Sequence, residues 1–170
     1  YEELESRWQA IFNVFPEFTN DRSQMRSHNS KIGSPQSDHP FLWPIIQKGI
    51  FIPVIRKLFD LENKDTEKSY DSILEPFGKL DVKDFREAPW RGLMLVNSSK
   101  KKDTLVIRQS SDDQSRVIQV LTELLLFLLN AVTLEPGDEE ELKKKVLSLN
   151  LDLKPGEEDN FWEQCLAKKI

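Results

Sequence analysis

Apolar residues crowd the stretch Arg116–Val132, which reads R-V-I-Q-V-L-T-E-L-L-L-F-L-L-N-A-V. Val117, Ile118, Leu121, Leu124, Leu125 and Leu128 recur at helical spacing, and Val120, Phe127 and Leu129 fill the other side. A helix that is apolar nearly all round is buried on most of its circumference. The pattern therefore predicts one buried central helix over about 112–134, with other segments packed around it. Gln119, Thr122, Glu123 and Asn130 interrupt the run. It falls short of the roughly 18 apolar residues that a membrane span needs.

Upstream, Leu4, Trp8, Ile11, Phe12 and Phe15 share one face of an amphipathic helix that Pro16 ends. Phe18 is placed to anchor the turn. Residues 19–39 are polar and rich in Ser, Asn and Asp, and read as a long loop with room for one helical turn near Asp21–Ser27. Asp38 suits an N-cap, with Pro40 in the first turn behind it. The apolar run from Phe41 to Phe59 could suggest a strand, but Pro44, Gly49 and Pro53 make a central strand untenable. Short helical pieces, broken near the two prolines, fit better, and Val54–Leu61 is the most regular. After a charged connector, Ser69–Leu80 holds a short helix with Tyr70, Ile73, Leu74 and Phe77 inward. Val82–Glu87 forms a further turn.

Leu93–Val96 and Thr104–Arg108 read as strands. The short polar linker between them permits an antiparallel hairpin, whereas a parallel crossover needs a dozen or more residues. Two strands alone are marginal in water, so the hairpin must lie on helices. Ser110, Ser111 or Asp112 caps the central helix. Glu139–Leu149 and Glu157–Lys168 are two further helices, acidic at their starts as the helix dipole favours. The fold class is thus mainly α: a helical domain around one central helix, with a single antiparallel hairpin over about 93–108. Residues 1–134 form the core domain, and 135–170 a helical appendage packed on it.

At 170 residues, with 38% hydrophobic and 31% charged residues, the chain fits a soluble globular protein with a cytoplasmic setting. It opens in helical pattern without a methionine, as a fragment of a longer protein would. The net charge of −5 argues against a dedicated nucleic-acid or membrane-surface binder. One segment departs from this balance. Lys83, Arg86, Arg91, Lys100, Lys101, Lys102, Arg108 and Arg116 face only Asp84, Glu87, Asp103, Asp112 and Asp113 across residues 83–116. Arg91, Lys100, Lys101, Lys102, Arg108 and Arg116 are the candidates for contact with phosphates. No aromatic residue interleaves the lysines, as single-strand binding would favour, so a solvated turn is the simpler reading.

Catalytic chemistry finds little support. No zinc spacing, phosphate loop, dinucleotide glycine pattern or nucleophile elbow is present. His28 and His39 lie in the polar loop, far in sequence from Cys165, the single cysteine. That thiol reads as a small buried apolar residue. No cofactor, metal or catalytic residue is assigned. Asp112-Asp113-Gln114-Ser115-Arg116 looks like a degenerate D-G-Q-H-R, but a helix cap with its first turn accounts for it.

The order of segments carries a resemblance. W-Q-A-I-F-N-V-F-P-E (Trp8–Glu17) precedes a long loop and an apolar helical stretch at Leu42–Leu58. Next come K-L-D-V-K-D-F and A-P-W-R-G-L-M-L-V (Ala88–Val96), then a hairpin and a long helix. Over roughly Leu4–Leu134 this resembles the C-terminal half of DGQHR-domain proteins, which are similar to the regulator B component of bacterial DNA sulfur modification systems, associated with phosphorothioate DNA and phage defence. The resemblance implies that the signature and the nuclease-like or ParB-like core lie in an N-terminal half absent here. No catalytic residue transfers. The expectation is a non-catalytic helical region serving regulation or protein–protein contact, its partner the missing core or another protein. A DNA-binding module built on segment 83–116 is the alternative, and no membrane partner is expected.

Overall fold

A computed structural model describes residues 1–20, 39–62, 68–98, 105–108 and 111–170. Its centre is helix α6 (Ser111–Leu128), in which Val117, Leu121, Leu124, Leu125 and Leu128 are wholly buried. The helix stops six residues before the expected end. Asn130 adopts φ 51°, a left-handed conformation that asparagine tolerates. The Ala131 N–H turns back to the Leu126 carbonyl at 2.9 Å, and Val132 and Leu134 leave the helix.

Around α6 the described residues form a mainly helical fold with a single two-stranded antiparallel sheet. Helix α1 (Glu2–Val14) ends at Phe15, and a short turn, α2 (Glu17–Asn20), follows. After a 3-10 turn at Pro40–Leu42, capped by His39, the chain enters a composite helix. It opens as α3 (Pro44–Ile46), widens to a π turn at Gln47–Phe51 and continues as α4 (Ile52–Glu62). The wide turn falls just before Pro53, whose ring would clash with the carbonyl four residues back in a regular helix. Gly49 lets this helix approach α6 closely, for a methyl there would lie 3.0 Å from Ile118. The expected cap Asp38 and the turn near Asp21–Ser27 fall outside the described residues.

Helix α5 (Tyr70–Lys79) is capped by Ser69 and buries Ile73, Leu74 and Phe77, as its pattern predicts. Phe15, Phe41, Phe51 and Phe77 meet in one cluster. Centroids lie 4.9 Å apart for Phe15–Phe51 and 5.3 Å for Phe15–Phe77, both edge-to-face, the arrangement aromatic rings prefer. Trp90 is fully buried and donates its indole N–H to the Val82 carbonyl at 2.7 Å.

The hairpin pairs β1 (Leu95–Asn97) with β2 (Leu105–Ile107), Val96 opposite Val106. It is shorter than its apolar runs. Leu93 and Met94 sit instead in a tight turn where Gly92, at φ +79°, donates its N–H to the Leu95 carbonyl. Helices α7 (Pro136–Leu149) and α8 (Glu158–Leu166) complete the fold. Leu142, Val146, Phe161, Trp162 and Cys165 join the same hydrophobic cluster as α6.

Candidate functional site

Two arginines of the basic segment bind the chain at the end of α7 and just after it. Arg91 donates to the Leu95 carbonyl at 3.0 Å and to Asn97 Oδ1 at 3.3 Å, and its Nη1 pairs with Asp152. Arg108 is 6% exposed and donates from Nη1 to the Leu149 carbonyl at 2.7 Å. That carbonyl closes α7, where a cation meets the negative end of the helix dipole. Arg91 and Arg108 therefore converge on the chain at Leu149–Asp152 and tie it to the hairpin. Arg116 is exposed on α6 and does not join them. Lys100, Lys101 and Lys102 lie outside the described residues.

Next to Arg91 opens a polar cleft of about 690 Å³ between the 81–91 segment and the chain from Asn150 to Lys168. Lys168, its side chain 10% exposed, bridges Asp81 at 3.2 Å and Glu87 at 3.1 Å. Burial pushes the Lys168 ammonium down, but the two carboxylates outweigh it and hold it above the usual lysine range. Arg86 is held by Asp84 at 3.2 Å. The cations facing this cleft are thus already neutralised. Cys165 sits buried nearby on α8, and burial pushes its thiol up to about 12, which leaves no thiolate for nucleophilic work. Sequence reasoning did not single out Asn150, Asp152 or Lys168. Their partners lie some 60 to 87 residues away, and no local pattern marks them.

A second polar group joins α2 to the 3-10 turn. Glu17 Oε1 accepts from His39 Nε2 at 3.0 Å and from Lys83 Nζ at 3.1 Å. His39 Nδ1 accepts the Phe41 N–H at 3.2 Å, which places the ring proton on Nε2, toward Glu17. Burial would raise the Glu17 carboxyl, but the hydrogen bonds from His39, its own backbone and Lys83 hold it down to about 2. The group fastens three chain segments, at Glu17, His39 and Lys83, and brings no nucleophile with it. Among the described residues, no three His, Cys, Asp or Glu side chains converge to hold a metal ion.

The least expected surface lies on α1. Ala10 and Phe15 are fully buried, and Val14 packs on Gly78 of α5. Arg7 lies over the rings of Phe59 and Tyr70, 5.3 and 5.4 Å from their centroids. The inward face is therefore rotated from the one that Leu4, Trp8, Ile11, Phe12 and Phe15 define. Ile11 and Phe15 stay inward, while Leu4, Trp8 and Phe12 remain 58%, 48% and 40% exposed. Trp8 and Phe12 stack with centroids 6.1 Å apart. The core buries Trp90 and Trp162, and Trp8 has no place in it.

No family model, no curated protein and no solved structure matches this chain. No helix among the described residues is long and apolar enough to cross a membrane.

Proposed function

We propose that this chain is a non-catalytic helical module that works by docking another protein, and that α1 carries the docking face. The observation behind this reading is the row Leu4–Trp8–Phe12. Large apolar side chains exposed in succession on one face mark interaction surfaces, whereas single exposed ones do not. Trp and Phe also supply much of the energy of interface cores. On the resemblance in segment order, the module serves regulation in a DGQHR-like, DNA-modification-associated protein of phage defence, contacting the rest of that protein or another chain. A single buried thiol asks for no oxidising compartment, which suits a cytoplasmic setting.

A neutral amphipathic helical peptide, leucine on one face and glutamine on the other, tests the docking reading. Labelled peptide should bind the full chain with an anisotropy change that Trp8→Ser abolishes while the melting temperature is kept. Binding unaffected by Trp8→Ser, or no binding, would contradict the reading.

A further inference from the structure

The charges beside the stripe narrow the choice of partner. Glu5 flanks the Leu4–Trp8–Phe12 row on α1 and Glu2 lies further round the same helix, both exposed, and no cation among the described residues lies within ion-pair distance of either. Asp71, exposed at the start of α5, is tied to α1 by the Asn13 amide at 2.7 Å and likewise lacks a cation. The cations that α1 and α5 themselves carry are taken. Arg7 Nη2 binds Glu3 at 2.6 Å, and Lys79 binds Glu75 at 2.5 Å. The apolar row thus shares this end of the molecule with three carboxylates that pair with no cation among the described residues.

We propose that the α1 stripe takes a basic amphipathic helix of a partner protein. Its apolar face covers Leu4, Trp8 and Phe12, and its lysines or arginines stand opposite Glu2, Glu5 and Asp71. This rests on the docking reading above and adds the partner's chemistry. Two turns of such a helix, about 11 Å, match the length from Leu4 to Phe12. A second copy of this chain fits poorly. Parallel pairing of two α1 helices sets Glu2 and Glu5 against themselves. Antiparallel pairing sets them toward Asn13 and the neighbouring Asp71. Both arrangements bring like charges together as the apolar faces close, and like charge at a contact selects against a partner.

The test uses three helical peptides of one length with the same leucine face and a polar face of lysine, glutamine or glutamate. The full chain should bind the lysine peptide roughly tenfold more tightly than the glutamine peptide at low salt, as a few surface ion pairs allow. The glutamate peptide should bind most weakly. Added salt should shrink the spread. Glu2→Gln, Glu5→Gln and Asp71→Asn together should bring the lysine peptide close to the glutamine one, while Leu4→Ser with Trp8→Ser should lose all three. These positions are exposed, and the melting temperature reports that the fold is kept. Equal binding of all three peptides, lost on Trp8→Ser, would refute the basic partner and leave the docking reading standing. No binding of any peptide would defeat both. Sedimentation showing a dimer that Trp8→Ser dissolves would give the stripe to a second copy and overturn the proposal.

Discussion

Asn150 fills the space that a side chain at residue 92 would need. A β-carbon on Gly92 would lie 1.8 Å from Asn150 Oδ1. The Leu151 N–H donates to the Gly92 carbonyl at 2.9 Å, and Asn150 Nδ2 to the Arg91 carbonyl at 3.2 Å. The turn before the hairpin and the chain after α7 therefore meet backbone to backbone.

Gly92→Ala meets two penalties there, the left-handed φ of +79° and the collision with Asn150. The expected loss is about 2–4 kcal/mol of unfolding free energy, combining an unfavourable backbone region with displaced neighbours. Urea denaturation checks it. Wild-type stability in the variant would contradict the close junction.

Arg108 should behave as a brace. Arg108→Ala removes the donor to the Leu149 carbonyl and leaves that acceptor unsatisfied, at about 1–3 kcal/mol. Because the side chain is 6% exposed, the same change should leave the salt dependence of duplex DNA affinity as it was. A phosphate-contacting residue would lower the slope of log affinity against log salt by about one. Titration of labelled duplex at two salt concentrations separates the two roles. A slope reduced by one would return Arg108 to a DNA-binding face.

The central helix was legible because its apolar residues outnumber its polar ones all round, and the hairpin because two apolar runs flank a polar linker. Single positions decided the departures. Asn130 entered the left-handed region and ended α6 early, and Gly92 turned Leu93 and Met94 out of the strand. On α1 the periodicity allowed two neighbouring faces. The fit of Val14 to Gly78 and of Arg7 to Phe59 and Tyr70 selected one, and this left Leu4, Trp8 and Phe12 outside. Asp152 and Lys168 were not legible at all, since ion pairs across the fold leave no trace in local spacing.

Acid should weaken the junction at Glu17. Its carboxyl is held near 2, below an ordinary value of 4.5, so the folded state binds this proton less readily than the unfolded chain. The stability it contributes is fully present above about pH 4.5 and is lost as pH falls toward 2. Glu17→Gln should cost about 1–3 kcal/mol at neutral pH, through the charged hydrogen bonds from His39 and Lys83. It should also flatten the fall in stability between those two pH values. Parallel acid slopes in wild type and variant would show that Glu17 does not anchor the turn.

The docking face on α1 is tested most directly by titrating the isotopically labelled full chain with the lysine-faced peptide and following backbone amides by nuclear magnetic resonance. Shift changes should concentrate on Leu4–Asn13 and on the start of α5 near Asp71. The indole N–H of Trp8 should move, and that of the buried Trp90 should stay in place. Changes centred on the cleft around Lys168, with α1 unmoved, would contradict the account.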